Sequence, residues 1–196
     1  MNKIFIATSN QHKVTEFKAL LPNYQIMSLK DLDENINIIE TGSTFAENAI
    51  IKAETICKKY QIDVIADDSG IEVEALNNEP GIYSARYLGE QTDYKTKMNS
   101  LIKRLEGQNN RNCRYVCAIA LARYQQPTKV FYGYCNGQVA YKIQPGEHGF
   151  GYDPMFYLPE YNLNMNQISE TEKNKISHRY LALRKLLEYL NENDHK

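Results

Sequence analysis

Residues 65–87, IADDSGIEVEALNNEPGIYSARY, constrain the fold more than any other stretch. An apolar run ending at Ala66 meets two consecutive carboxylates, Asp67 and Asp68, followed by Ser69 and Gly70. From Ile71 to Leu76 polar and apolar residues alternate, the period-two pattern of a half-buried strand, and residues 62–66 have the short apolar pattern of a buried one. The stretch predicts strand, acidic turn, strand, with both aspartates at the mouth of a sheet. Adjacent ionised carboxylates repel, and a hard divalent cation removes the repulsion; Mg2+ is commonly held by one or two carboxylates plus substrate phosphates. Asp, Ser and Gly also make a plain polar turn, so these residues alone leave both readings open.

A chain of 196 residues suits a single domain, 1–196, with a sizeable core. A net charge of −1 implies no general polyanion-binding surface, so nucleic acid is not an expected partner and any phosphate site must be a local group of Lys and Arg. No apolar run approaches the ~18 residues of a membrane span, and the start, MNKIFIATSN, lacks the layout of a signal peptide. The expectation is a cytoplasmic protein with no membrane attachment. Cys57, Cys113, Cys117 and Cys135 form no CxxC pair, and buried free thiols are a simpler reading than a disulfide or a structural zinc.

Taken in order, residues 3–7 predict the first, central strand. They lead into Thr8-Ser9-Asn10-Gln11-His12-Lys13, after which Val14, Phe17, Leu20 and Leu21 recur at helical spacing. Strand, polar loop and helix offer backbone N–H groups and a helix N-terminus to an anion. Lys13 falls in the first helical turn, where the macrodipole prefers anions, and a cation there makes sense facing a phosphate. The loop also reads as an ordinary cap, with Thr8 or Asn10 on the helix N-terminus. Tyr24–Leu29 reads as a second strand. A helix follows from about Thr44 to Tyr60, with Phe45, Ala49, Ala53 and Ile56 as its buried stripe and Thr44 with Glu47 as a capping box. Lys52 lies one residue off that stripe, within reach of a site or of solvent.

Asp93 can cap a helix reaching about Leu105, and Asn112–Ala122 and Lys129–Ile143 read as two long strands. Residues 145–154 hold three glycines and two prolines, which forbid helix and favour close backbone approach. Phe150 and Tyr152 offer planar faces to a nucleobase, and Asp153 can accept from base N–H groups; the loop also suits a hairpin whose aromatics cover the core edge. Met155–Leu158 is a short strand. Ser177 is the expected N-cap of a final helix with Ala182, Leu183, Leu186, Leu187 and Leu190 inward. Lys173, Lys175, His178 and Arg179 read as a cationic cluster at that helix start, again suiting an anion.

Five segments together, ATSNQHKVTEF, ETGSTFAENAIIKA, ADDSGIEVEALNNEPGIYSARY, FGYDPMF and KNKISHR, resemble the inosine/xanthosine triphosphate pyrophosphatase family in content and order over nearly the whole chain. The resemblance implies an elongated, two-lobed α/β fold with a long central mixed sheet flanked by helices, a cleft between the lobes, and usually a homodimer. It implies Mg2+-dependent hydrolysis of the non-standard purine nucleotides ITP, dITP and XTP to monophosphate and pyrophosphate. By position, Thr8, Ser9, Asn10, Gln11, His12 and Lys13 resemble the triphosphate loop, and Glu40 and Asp68 the metal carboxylates. Asp68 also resembles the general base, with Ser69 beside it on the substrate, while Lys52 and Lys173 resemble phosphate-binding lysines. Phe150, Gly151, Tyr152 and Asp153 resemble the base pocket, with Phe150 stacking, and His178 and Arg179 the residues that read the purine 6-keto edge.

Two loops depart from the family form. Thr-Gly-Asn-x-Gly-Lys becomes a segment with Ser9 and His12 in place of both glycines, and Tyr180 stands where Gly often follows His-Arg. A side chain at Ser9 is strained if the backbone there takes positive φ, and His12 adds bulk or charge beside the phosphates. A Maf-like pyrophosphatase acting on modified pyrimidines is the nearest rival, against which the FGYD and SHR segments speak. A non-catalytic nucleotide sensor is the rival from another class, against which Glu40, Asp68 and the lysines speak.

Overall fold

The computed structural model describes residues 2–32 and 36–193. Its strands are β1 Asn2–Ile6, β2 Tyr24–Ser28, β3 Val64–Val73, β4 Glu79–Pro80, β5 Asn112–Ala122, β6 Lys129–Val139, β7 Phe156–Leu158 and β8 Leu163–Asn164. Its helices are α1 Gln11–Leu20, α2 Phe45–Tyr60, α3 Tyr94–Arg104, α4 Glu170–Ile176 and α5 His178–Asn193, with short 3-10 segments between elements. The fold is α/β: an open eight-stranded sheet runs in the order β2-β1-β3-β5-β6-β7-β8, with β4 paired to β3. The sheet is mixed. β1 lies parallel to β2 and to β3, whereas β6–β7 and β7–β8 are antiparallel. β1 is therefore an interior strand one place from the β2 edge, and the centre belongs to β3 and β5.

The chain divides into two compact units. The first comprises Met1–Asp68, Cys117–Tyr132 and Ala182–Lys196, and the second Ser69–Val116 and Gly133–Leu181. The core of the first unit gathers Ile4 and Ile6 of β1, Phe17 and Leu21 from α1 and its end, Ile65, Cys117, Ile119 and Leu121, and Ala182, Leu183 and Leu186 of α5. The core of the second gathers Ile71 and Val73, Met98, Leu101 and Leu105 from α3 and its end, Tyr115, Tyr152, Met155, Phe156 and Met165. All four cysteines are unbridged thiols, and all are buried.

Three expectations need correction. The Asp-Asp-Ser-Gly segment is no turn: β3 runs unbroken for ten residues through it. Asp, Ser and Gly disfavour strands on propensity, but β3 is enclosed between β1 and β5, and sheet pairing overrides that local preference. The alternating pattern also overshoots the strand, since residues 74–76 form a 3-10 turn. Finally, Lys173 and Lys175 do not open the last helix. They lie near the end of the short α4, where the macrodipole favours cations, and only His178 and Arg179 begin α5. Ser177 separates the two helices, its Oγ accepting the Tyr180 N–H at 3.2 Å.

Candidate functional site

In the first unit a carboxylate cluster is assembled from β3, α2 and the segment before α2. Successive side chains of a strand leave on opposite faces, so Asp67 and Asp68 take different partners. Lys52 of α2 reaches Asp68 Oδ1 at 3.5 Å and Glu40 Oε1 at 2.5 Å, so one ammonium holds two carboxylates. Asn48, fully buried one turn before Lys52, donates to Asp68 Oδ2 at 3.2 Å and accepts the Gly42 N–H at 2.8 Å. Asp67 instead pairs with Lys13 of α1 at 3.0 Å. Burial pushes the Asp68 carboxyl above its usual range and outweighs the opposing pull of Lys52 and Lys13. Burial works against the charged form of Lys52 as well, but Asp68, Asp67 and Glu40 together outweigh it and its pKa ends raised.

Local structure explains how α2 arrives. Thr44 caps it by accepting the Glu47 N–H at 3.1 Å, and the Glu47 carboxylate accepts the Ser43 N–H and hydroxyl at 2.6 and 2.7 Å. At Gly42 an added Cβ would stand 2.7 Å from Asn48 Oδ1 and 2.9 Å from the Asn48 backbone nitrogen. Gly42→Ala is therefore expected to displace Asn48 and to destabilise the fold by ~1–3 kcal/mol, the range typical of overpacking; a thermal melt of the variant checks this.

The loop after β1 is set by its own side chains. Thr8 Oγ1 accepts the Asn10 N–H at 3.2 Å, and Asn10 Oδ1 accepts the His12 and Lys13 N–H groups at 3.0 and 3.4 Å. Asn10 is thus the helix cap, and Gln11 Oε1 accepts from Lys30 Nζ at 3.3 Å. Neither Ser9 nor His12 takes positive φ, so the side chains at the two expected glycine positions carry no left-handed strain. Ser9, Asn10, Gln11 and His12 are exposed.

In the second unit Asp153 is the hub. It is 3% exposed, and its Oδ1 accepts the Tyr115 hydroxyl at 2.9 Å. Its Oδ2 accepts the Phe150 N–H at 2.9 Å and Lys173 Nζ at 2.7 Å. Lys173 Nζ also lies 4.7 Å from the Phe150 ring centroid. Asp153 therefore shapes the loop rather than standing open to a base, and Lys173 is engaged by Asp153 and the Phe150 ring of the same loop. Gly149 (φ +82) allows this closeness, since a Cβ there would meet Asp153 Oδ2 at 2.5 Å. Tyr152 is buried, with its hydroxyl on the Ser84 carbonyl at 2.8 Å and its ring edge-on to Tyr94. The Tyr115 ring stacks on His178 at 4.9 Å, and Arg179, 2% exposed, donates from Nη2 to Ser69 Oγ at 3.0 Å. Burial first, then Asp153, pushes the Tyr115 phenol well above its usual range, so it remains a donor. Gly151 (φ +66) completes the turn between the two aromatics.

The sequence model of the Ham1 family matches residues 4–189. The chain belongs to the Ham1 family. A Staphylococcus aureus (strain MRSA252) protein named dITP/XTP pyrophosphatase is 44% identical over 190 residues, covering 97% of each chain. A protein of the same name from Staphylococcus epidermidis (strain ATCC 12228) is 43% identical over 195 residues and all of both chains. The solved structure of the Staphylococcus aureus Ham1 protein superposes with a TM-score of 0.89 at 43% identity, covering 97% of this chain and 98% of that one.

Three residues of this Ham1-family arrangement escape a motif reading. Asn48 is polar on a helix face otherwise buried, and its i, i+4 spacing to Lys52 was the available sign. Tyr115 sits in a strand buried for most of its length, where nothing marks one tyrosine as the partner of a residue 38 positions away. Tyr94 follows the α3 cap and carries no signal at all.

Proposed function

We propose that this chain hydrolyses non-standard purine nucleoside triphosphates, dITP, ITP and XTP, to the monophosphate and pyrophosphate, with Mg2+ as cofactor. The observation that carries the reading is the pair Glu40 and Asp68 closed on a single ammonium. Two carboxylates gathered around one positive charge form a place that favours a cation. They suit Mg2+, which needs only one or two carboxylates besides substrate phosphates; among the described residues no larger His, Cys, Asp or Glu cluster competes. The names of the staphylococcal relatives support the substrate class. The reading takes residues 1–196 as one catalytic domain and carries with it a homodimer acting in the cytoplasm. Among the described residues no helix is long and apolar enough to cross a membrane.

Glu40 and Asp68 would hold Mg2+, which would supply charge neutralisation for the phosphates. Residues 8–13 and Lys52 bind the phosphate chain, in a reaction that needs positioning and charge compensation more than covalent chemistry. Asp68 orients the attacking water and takes its proton as the new O–P bond forms at the α-phosphorus and the bond to the departing pyrophosphate breaks. A carboxyl whose pKa burial has raised is the better base for this task. Phe150 supports the base, and Asp153 with Lys173 fixes the loop that carries it. Arg179 can only donate, so it donates to a 6-keto oxygen, whereas a 6-amino group turns a second donor toward it.

Pyrophosphate release from dITP, ITP, XTP, GTP and ATP, with Mg2+ and with EDTA, tests the reading. The expected result is metal-dependent release mainly from the first three. Orthophosphate as product, or binding without turnover, would reject it. Arg179→Ala is expected to reduce the ITP-over-ATP ratio of kcat/KM by about 10-fold, since one unpaired buried donor costs ~1–3 kcal/mol; an unchanged ratio places base reading elsewhere.

A further inference from the structure

Asp68 has a task in the proposed reaction, and its neighbour Asp67 has none. Asp67 is nevertheless the more deeply placed of the two, with a side chain 0% exposed in the interior strand β3. Lys13 Nζ forms an ion pair with Asp67 Oδ2 at 3.0 Å and donates to the Asp67 carbonyl oxygen at 3.3 Å, and the Cys117 thiol lies 4.0 Å from the same Oδ2. An ion pair and a hydrogen bond from one ammonium to one residue fix the direction of a four-carbon stem that is otherwise free to rotate. An ammonium has three donors, and the Lys13 side chain keeps 16% of its surface exposed.

We infer that Asp67 is the positioning residue for Lys13: its carboxylate and its carbonyl oxygen together hold the ammonium so that a remaining N–H is presented to the β- and γ-phosphates. The inference rests on the phosphate-loop reading above. Its physical basis is pre-organisation. Ordering a flexible lysine at the moment of binding lowers affinity, whereas ordering it within the fold moves that cost out of the binding step. A point charge on a flexible stem gains most from such a hold. The two adjacent aspartates thus divide their work, Asp68 serving the metal and the water and Asp67, through Lys13, the leaving group.

The test is binding of inorganic pyrophosphate with Mg2+ to Asp67→Asn, Lys13→Met and the double variant, alongside KM and kcat for dITP and inhibition by inosine monophosphate. Asp67→Asn is expected to raise the inhibition constant for pyrophosphate and KM together by about 10-fold, the scale of a charge-assisted hydrogen bond. The constant for the monophosphate, which lacks those phosphates, should move less than about 2-fold, within ordinary non-coupling scatter. The double variant should bind pyrophosphate no worse than Lys13→Met, because the two residues act as one unit. Multiplying effects, or an Asp67→Asn protein that binds pyrophosphate like the parent while Lys13→Met does not, overturns the role of Asp67. Normal pyrophosphate binding by Lys13→Met overturns the phosphate-loop reading itself. A measurement on the unaltered protein guards against a variant that fails to fold. With 15N-lysine labelling, the Lys13 ammonium resonance, assigned through Lys13→Arg, should be slow-exchanging before and after pyrophosphate is added. Its merging with the exposed lysines on binding would show the hold released and refute the inference.

Discussion

Asp68→Asn is expected to lower kcat for dITP by about 10³-fold, in the range that general-base loss produces, while leaving the protein folded and more stable than the parent. The geometry predicts both halves. Asparagine keeps the acceptor for Asn48 and leaves Lys52 paired with Glu40 at 2.5 Å, so no buried cation is stranded. The stability gain follows from proton linkage. Burial, opposed by Lys52 and Lys13, holds the Asp68 carboxyl above its ordinary value of 3.8. The folded protein then keeps this proton to higher pH than the unfolded chain, and stability falls as pH rises through the window above 3.8. Asparagine carries no such penalty. Thermal melts without added metal should show the variant's advantage growing from acid to neutral pH, and a variant that melts below the parent at pH 7 refutes the argument. A group kept ionisable at a cost in stability is what the proposed general-base role of Asp68 requires.

Asp153→Ala is expected to be the most damaging substitution for stability, by ~3–5 kcal/mol, the scale for removing one partner of a buried ion pair. Lys173 and Asp153 have side chains only 11% and 5% exposed at a separation of 2.7 Å. The variant also strands the Tyr115 hydroxyl and the Phe150 N–H, two donors that end on the same carboxylate. For a domain of this length each kcal/mol is worth about 2–4 °C, so the melting temperature should fall by roughly 10 °C. Adding Lys173→Met should recover part of the loss, since removing both members of a buried pair is far milder than removing one. A double variant no more stable than Asp153→Ala would show that Tyr115 and Phe150, and not the ion pair, dominate.

Capping was legible residue by residue. Asn10, Thr44, Asp93 and Ser177 each accept from a backbone N–H two or three positions on, as their short polar side chains before apolar periodicity predict. The inward residues of α2 were also legible, because helical period alone places Phe45, Ala49, Ala53 and Ile56 on one face. Asp67-Asp68-Ser69-Gly70 was not, because turn propensity is a local quantity and β3 is held by neighbours far along the chain. The cationic run from Lys173 to Arg179 misled for the opposite reason: the break at Ser177 divides residues close in sequence between two helices.

By itself, then, the sequence determined the helix caps and the buried stripe of α2, the family and the inventory of acids, lysines and aromatics, since these depend on side-chain type and on periods of a few residues. Only the tertiary structure decided who holds whom. Lys52 between Glu40 and Asp68, Lys13 on Asp67, and Asp153 between Tyr115 and Lys173 are choices among many cations and carboxylates of equal charge. They depend on strand register and on burial, which set distances that Coulomb and hydrogen-bond energies then select.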